Sequence, residues 1–286
     1  MILDGHIHIK DGKEDREDFS RKLRSASVDG GIVVSLPPAA FETVAHSLPP
    51  AKRLDNLFFW CESGPNLYPF YWVDPLADDA LGQVAMATKR GVVGFKVICD
   101  RYYPKHDRAM KVFKAISQAN RPILFHSGIL WDGKPSSDYN RPGQFEALLE
   151  VDGLRFCLAH MSWPWCDELI AVYGKFQNAH TSRPDLSVEM FTDTTPGTPP
   201  VYRHDVLARL FKSEYDVEHH VIFGTDCHVN DYNVQWARGW ISRDKDIFNQ
   251  LGLSKETTDG VFAENLKHFV GVSTTKIERK PLKPTQ

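Results

Sequence analysis

The sequence predicts an α/β protein that folds as one closed (β/α)8 barrel, the TIM-barrel architecture. Short apolar runs alternate with segments of helical periodicity, which is typical of parallel strands buried on both faces. Polar residues directly follow several of these runs, and in a barrel the carboxyl ends of all strands meet at one mouth. An open doubly wound sheet is disfavoured, because its first and last strands could lie far apart and no Gly-x-Gly-x-x-Gly turn marks a nucleotide crevice.

Eight strands are expected, and the third has two candidate positions. In chain order the runs are Ile2–Ile9, Gly31–Leu36, either Leu57–Cys61 or Phe70–Val73, Val92–Ile98, Pro122–His126, Arg155–His160, Leu186–Phe191 and His219–Thr225. Amphipathic segments predict helices between them. These segments are Ala80–Arg90, Arg108–Asn120, Gln144–Val151, Cys166–Phe176, Tyr202–Lys212 and Val234–Leu251, followed by a last helix over Lys255–Val270.

Two long loops are expected at the barrel mouth. Gly128–Pro142 follows the fifth strand and Thr192–Pro200 follows the seventh, where they would face a substrate or act as lids. No linker divides the chain, so residues 1–286 are predicted to form a single domain. The segment Thr274–Gln286 is rich in Lys and Pro and is expected to be a disordered tail.

The composition is that of an ordinary soluble protein and argues against several classes of partner. Of the 286 residues, 42% are hydrophobic and 25% are charged, with a net charge of −3. Mixed charges offer no case for nucleic acid or an anionic membrane as partner, and no apolar run reaches the roughly 18 residues of a membrane span. Five scattered cysteines without a Cys-x-x-Cys pair suggest a reducing cytoplasm. A homodimer is expected only because it is the commonest soluble assembly.

The first predicted strand carries two histidines, in Asp4-Gly5-His6-Ile7-His8. Side chains two residues apart on a strand point to the same face, with Cα atoms roughly 6.5 Å apart. Both imidazoles can therefore converge on one ion, at Zn–N distances of about 2.0–2.1 Å. Taken alone, the motif fits an exposed histidine pair at a chain end equally well.

Further motifs occur at the ends of later strands, in a fixed order. They are Gly-Phe-Lys96-Val, Leu-Phe-His126-Ser-Gly, Leu-Ala-His160-Met, Phe-Gly-Thr-Asp226 and the late Phe-Ala-Glu-Asn265. Together with the His6-Ile-His8 motif they resemble the amidohydrolase superfamily, most closely its amidohydrolase 2 branch of TIM-barrel metal-dependent hydrolases and aromatic-acid decarboxylases. The resemblance spans essentially the whole chain and is specific as a set.

The resemblance implies one divalent metal ion bound by three histidines and an aspartate. The implied ligands are His6, His8, His126 and Asp226, and Asp226 would also exchange a proton with water on the ion. Zinc is expected from the softness of these ligands, with manganese as the alternative.

The resemblance also implies roles for two more strand-end residues. His160 would bind a second metal ion or contact the substrate, unless it is a core histidine satisfied by the backbone. Lys96 would face the substrate beside a single ion, rather than carry a carboxylate that bridges two ions. The alternative for Lys96 is an ion pair with Asp100. Asp4 is expected to accept a hydrogen bond from an imidazole and so fix its tautomer.

Aromatic and cationic residues are concentrated in the loops at the predicted mouth. Those expected to bind the substrate are Arg101, Tyr103, Trp131, Arg141 and Trp163. Such a set suits a small planar or lactone-like molecule that bears a carboxylate. Alternatively, the aromatic residues pack the long loops onto the barrel.

The expected reaction is hydrolysis of an ester, lactone or amide bond. Asp226 would take a proton from metal-activated water, and His160 or Lys96 would stabilise the developing oxyanion. The main alternative is a lyase that decarboxylates or hydrates a hydroxybenzoate-like acid on the same barrel. Both histidines of the first strand are present, whereas many decarboxylases of the branch carry a glutamate there, and this favours hydrolysis. A metal-free lactonase and a barrel that binds metal without catalysis are further alternatives.

Overall fold

The computed structural model describes residues 1–41 and 45–273 as an α/β barrel. Within these residues nine parallel strands form one sheet in the order β8-β7-β6-β5-β4-β3-β2-β1-β9. The strands are β1 Leu3–His8, β2 Gly30–Val34, β3 Leu67–Trp72, β4 Gly94–Val97, β5 Ile123–Phe125, β6 Arg155–Leu158, β7 Glu189–Asp193, β8 Val221–Ile222 and β9 Cys227–His228.

The sheet closes on itself through its last two strands: β8 lies within the predicted eighth strand, and β9 follows two residues after the predicted end. β8 pairs with β7 and, a few residues later, β9 pairs with β1. Between them, the backbone nitrogen of Gly5 donates to Phe223 O at 2.7 Å, and the nitrogen of Asp226 donates to His6 O at 3.0 Å. The predicted TIM barrel is therefore confirmed, with its last strand interrupted beside the mouth.

Helices surround the barrel, and two of them were not predicted. The helices are α1 Arg16–Ser25, α2 Pro50–Cys61, α3 Ala80–Arg90, α4 Asp107–Gln118, α5 Cys166–Ser182, α6 Pro200–Phe211, α7 Val234–Leu251, α8 Lys255–Asp259 and α9 Asn265–Val270. The unpredicted ones are α1 and α2. A π-helical turn over Gly260–Glu264 joins α8 to α9, so the predicted last helix is continuous. The predicted helix Gln144–Val151 is wrong in type, because Pro142–Glu150 forms a 3-10 helix.

The ambiguity of the third strand is resolved in favour of the second candidate. Phe70–Val73 overlaps β3, whereas Leu57–Cys61 lies in α2. Leu54, Leu57 and Trp60 are buried at helical spacing, so that apolar run is one face of an amphipathic helix.

The barrel interior is filled at its amino-terminal end and open at its carboxyl end. Inward-facing Phe70 and Phe191 pack against Phe269 of α9, with ring centroids 6.0 and 5.1 Å away. Asn265, at the start of α9, donates to Val221 O at 2.7 Å and holds this helix against the last strand. Helix α9 thus closes one end, and the free space lies at the mouth.

Both predicted mouth loops contain regular structure inside their predicted bounds. A 3-10 turn over Ser137–Asn140 lies within the predicted loop Gly128–Pro142. Strand β7 extends to Asp193, so the following loop is shorter than predicted. The predicted tail over 274–286 lies outside the described residues. In the part of the chain that is described, no helix is long and apolar enough to cross a membrane.

Candidate metal centre

His6, His8 and Asp226 meet at the barrel mouth. Each offers one potential ligand atom, and these atoms lie within 4.8 Å of one another. Asp226 Oδ1 lies 3.4 Å from His8 Nε2 and 4.0 Å from His6 Nε2. The two histidines reach the same point because they are two residues apart on β1.

The backbone around Asp226 directs its carboxylate toward these imidazoles. Asp226 interrupts the last strand with a left-handed φ of 59°. Gly224, two residues earlier, lies against β1: a Cβ there would collide with Thr195 Oγ1 and lie 3.1 Å from His6 Cβ. The Gly-Thr-Asp sequence therefore permits a close approach of the last strand to His6.

A carboxylate that the sequence analysis missed positions two of the histidines. Asp193, the last residue of β7, accepts from His6 Nδ1 at 3.1 Å through Oδ2 and from the backbone nitrogen of His160 at 2.8 Å through Oδ1. A bond from His6 Nδ1 leaves Nε2 of the same ring without a proton, 4.0 Å from Asp226 Oδ1 and 3.3 Å from Lys96 Nζ. Burial alone would raise the pKa of Asp193, but the bond with His6 lowers it to about 2, so the group is ionised.

The predicted role of Asp4 is therefore wrong. Its carboxylate accepts from the backbone nitrogens of His6 at 3.0 Å and Thr225 at 2.9 Å, and from Tyr232 Oη at 2.9 Å. These partners, within the described residues, include no imidazole. Asp4 joins β1 to the last strand, and Asp193 holds the imidazole instead.

The charge states of His6 and Asp226 suit a divalent cation. Burial, followed by the nearby Lys96, lowers the pKa of His6 to about 3, so its ring is neutral at neutral pH. Burial would raise the pKa of Asp226, but the hydrogen bond with His8 and the neighbouring imidazoles hold it well below its ordinary value. A neutral imidazole nitrogen and an ionised carboxylate are both ligands that zinc accepts.

His126 lines the same cavity but lies outside this group of three. Its Nε2 faces Ile129 O at 3.1 Å, and its ring centroid lies 5.0 Å from that of His160. Of the four predicted metal ligands, the structure thus brings three together and places the fourth nearby.

His160 and Lys96 are both buried beside His6. The His160 ring centroid lies 5.3 Å from that of His6, and its Nδ1 is buried without a hydrogen-bond partner among the described residues. Lys96 is 1% exposed, with Nζ 3.3 Å from His6 Nε2. Burial lowers the pKa of Lys96 to about 8. Its proposed alternative partner Asp100 accepts from Arg101 at 2.7 Å.

A cavity of about 530 Å³ opens above these groups and has aromatic walls and cationic edges. Trp131 and Trp163, which the sequence analysis expected to bind the substrate, both line it. Lining residues that the sequence analysis did not select for the substrate include Lys10, Phe41, Trp72, Asp132, Lys134 and His228.

Three predicted substrate-binding residues are engaged elsewhere and are absent from the described lining of this cavity. Arg101 pairs with Asp74 at 2.6 Å as well as with Asp100, and Arg141 pairs with Glu168 at 2.7 Å. Tyr103 Oη donates to Asp138 at 2.8 Å. Arg101 and Tyr103 follow β4 and Arg141 follows β5, but these bonds turn their polar ends toward neighbouring segments.

Comparisons with known proteins agree with this fold. The sequence profile described as amidohydrolase matches residues 3–265. An amidohydrolase from Burkholderia multivorans with bound zinc has a TM-score of 0.62 and 9% identity, covering 96% of this chain and 100% of that one. A 2,6-dihydroxybenzoate decarboxylase from Rhizobium has a TM-score of 0.61 and 14% identity, covering 95% and 98%.

A dihydroorotase from Campylobacter jejuni has a TM-score of 0.58 and 13% identity, covering 96% of this chain and 84% of that one. At such identities the structural likeness establishes the fold alone. No curated protein matches the sequence significantly.

Proposed function

The chain belongs to the amidohydrolase family, and from this premise we propose that it is a metal-dependent hydrolase of an ester, lactone or amide bond. The observation that carries the proposal is the group of His6, His8 and Asp226 at the open end of the barrel. Asp193, which holds His6 by its second ring nitrogen, gives this group the supporting contact that is common around metal-binding histidines.

The proposed cofactor is one divalent ion, zinc by donor type, with manganese as the alternative. His6, His8 and Asp226 would hold it, and we propose His126, which lines the same cavity, as a further ligand. When bound, such an ion lowers the pKa of a water molecule from about 15.7 toward 7 and polarises a carbonyl oxygen. Zinc bound in the related Burkholderia protein supports this choice.

The chain's own residues supply the proton transfers. Asp226 is ionised, so a carboxylate oxygen can accept a proton from the attacking water and then donate it to the leaving group. Lys96 lines the cavity, and with a pKa of about 8 it carries a positive charge in most molecules at neutral pH. We assign it, with His160, to the stabilisation of negative charge on the carbonyl oxygen.

The cavity walls support a small, planar substrate that bears a carboxylate. Phe41, Trp72 and Trp163 provide apolar faces, while Lys10 and Lys134 provide positive charge away from the metal centre. This assignment moves the predicted cationic role from the two arginines to the two lysines.

A lyase is the second candidate. The aromatic walls also suit a hydroxybenzoate-like ring, and Asp226 could protonate a ring carbon after loss of carbon dioxide. The likeness of the fold to that of a 2,6-dihydroxybenzoate decarboxylase keeps this candidate open. Hydrolysis is preferred because both histidines of β1 are present.

We propose that the protein is a cytoplasmic homodimer that acts on a free small molecule, without nucleic acid or membrane as partner. All five cysteines are free thiols, which supports a reducing compartment. Light scattering of the purified chain tests the dimer.

The deciding experiment compares the metal-free and metal-loaded protein on two substrate panels. One panel holds lactones, aryl esters and amides with a carboxylate, and the other holds hydroxybenzoic acids. We expect cleavage of a member of the first panel, lost on chelation and restored by zinc or manganese. Release of carbon dioxide from the second panel alone would favour the lyase, and activity that persists in fully metal-free protein would contradict both.

A further inference from the structure

A second cluster of metal-ligand side chains lies at the opposite, amino-terminal end of the barrel. Glu189, His220 and His268 each offer one ligand atom, and these atoms lie within 4.8 Å of one another. Glu189 begins β7, His220 directly precedes β8, and His268 belongs to α9. All three are partly buried, so solvent reaches the cluster.

The hydrogen bonds around His220 determine which of its nitrogens can bind an ion. Its Nδ1 lies 3.2 Å from Asp216 O and 2.9 Å from Tyr173 Oη. Tyr173 Oη itself donates to Asp216 O at 2.5 Å, so its proton is already used and it can only accept from His220. The proton of His220 therefore resides on Nδ1, and Nε2 keeps a free lone pair, as in histidines that bind metals.

The other two members already contact each other. His268 Nε2 lies 2.9 Å from Glu189 Oε2. An imidazole and a carboxylate at this distance can exchange their hydrogen bond for two bonds to one cation.

We propose that Glu189, His220 and His268 form a second site for a divalent transition-metal ion such as zinc, separate from the catalytic centre. Two imidazoles and one carboxylate are zinc ligands, and a water molecule can complete a tetrahedral set. The ion would tie α9 to the first residues of β7 and β8. Since α9 closes the barrel end, we infer that this ion stabilises the fold and takes no part in catalysis.

Two neighbouring features bear on the proposed site. One is a positive charge that should weaken its affinity for the ion, and the other is a second group of ligand side chains that could bind the ion instead. Arg155, paired with Glu189 in the sheet register, brings a positive charge into the same region, although its guanidinium donates to Phe269 O and to Asn120. We therefore expect weaker binding than at the mouth. Asp216, Glu218 and His219 form an adjacent group on one short segment, and a test must distinguish it.

The test uses metal-depleted full-length protein titrated with zinc and with cobalt. His268→Gln is the main variant, because glutamine can still donate a hydrogen bond to Glu189 but offers a much poorer metal ligand. His219→Gln is the matched control in the adjacent group, and His8→Gln removes a ligand of the mouth. Metal per chain is measured by elemental analysis after equilibrium dialysis, and Tm is measured with and without zinc.

We expect the wild type and His219→Gln to bind two ions, and His268→Gln and His8→Gln to bind one each. Zinc should still raise the Tm of His8→Gln. It should raise the Tm of His268→Gln less than it raises the Tm of the wild type. The activity of His268→Gln should stay unchanged. If His268→Gln fails to fold, Glu189→Gln replaces it in the same comparison. Equal metal content and an equal zinc-dependent Tm in wild type and His268→Gln would overturn the proposal, as would loss of the second ion in His219→Gln alone.

Discussion

Asp193 and His6 are 187 positions apart in the sequence, yet Asp193 Oδ2 lies 3.1 Å from His6 Nδ1. Both groups are buried, and the other carboxylate oxygen holds the backbone of His160. One side chain at the end of the seventh strand thus orients a proposed metal ligand and a proposed substrate contact. The candidate centre consequently depends on a residue that is not itself in the ligand group.

The first prediction concerns Asp193→Asn. Asparagine keeps the size of the side chain but can present an amide nitrogen instead of an anionic oxygen to His6. Loss of such a partner typically costs 10- to 100-fold in metal affinity or activity. We expect a decrease of about that size in kcat/KM, together with weaker zinc binding in competition with a chelator.

Asp193→Asn needs a control for simple unfolding. Circular dichroism and Tm should show a folded protein, and excess zinc should restore part of the activity. Unchanged zinc affinity in a folded variant would contradict the positioning role of Asp193.

The meeting of His6, His8 and Asp226 could be predicted from the sequence, because the resemblance implied these residues as ligands and strand geometry allows them to converge. His6 and His8 converge because alternate residues share a face, and Asp226 approaches because strand ends meet at one mouth. The same rule would have selected Asp193, since Phe-Thr-Asp193 ends an apolar run, but the predicted strand stopped at Phe191. A boundary error of two residues concealed it.

Strand geometry could not predict where the loop side chains point, and the sequence did not reveal the two helices α1 and α2. Arg101 and Arg141 lie in mouth loops, but only the tertiary structure reveals that carboxylates of other segments hold them. Helix α1 has a largely polar sequence with only Phe19 and Leu23 buried, so its apolar periodicity is too weak to identify. Helix α2 was obscured because its last residues are apolar without interruption.

The second prediction concerns Asp226→Asn. The amide retains an oxygen that can face a metal ion but cannot accept the proton that the proposed mechanism assigns to Asp226. We expect kcat to decrease by at least about 100-fold, within the usual range for a lost general base. The measurement is steady-state kinetics at equal metal content, confirmed by elemental analysis. Near-normal kcat at full occupancy would remove Asp226 from the proton transfer.

The third prediction separates the lysines from the arginines. Lys134 lines the cavity, whereas Arg141 is bound to Glu168. For a carboxylate-bearing substrate we expect Lys134→Gln to raise KM by about tenfold, consistent with one lost charged hydrogen bond. Arg141→Gln should leave KM unchanged.

A neutral analogue of the same substrate, with the carboxylate converted to an amide, serves as control for the Lys134 experiment. Its KM should be similar in wild type and Lys134→Gln. If Arg141→Gln raises KM for the acid and Lys134→Gln does not, the assignment of the two cations is reversed.

The fourth prediction concerns the pH dependence of stability. Burial outweighs the hydrogen bonds from Thr225, His6 and Tyr232, and it raises the pKa of Asp4 from 3.8 to about 6. The folded protein therefore binds this proton more readily than the unfolded chain does. The resulting contribution of Asp4 to the stability of the fold is complete below pH 3.8 and is lost as the pH rises through about 6. The difference between these pKa values corresponds to about 3 kcal/mol.

Urea unfolding of metal-free wild type and Asp4→Asn between pH 4 and pH 7 tests this. Both proteins share every other titrating group, so the difference between their free energies of unfolding isolates Asp4. We expect the wild type to lose stability relative to Asp4→Asn as the pH rises, by up to about 3 kcal/mol. A difference that does not change with pH would show that Asp4 ionises normally.

The fifth prediction concerns Gly197, in the loop after β7. A Cβ at this position would lie 2.8 Å from His160 Cβ and 3.3 Å from His160 Nδ1, and a backbone-attached carbon cannot move aside without moving the chain. Gly197→Ala should therefore displace His160 and lower kcat several-fold, while the metal content stays normal because His6, His8 and Asp226 lie on other segments. Gly64→Ala is the matched loop control, since a Cβ there meets nothing within 4 Å, and its kinetics should equal those of the wild type. Wild-type kcat in Gly197→Ala would mean that the reaction does not depend on the position of His160.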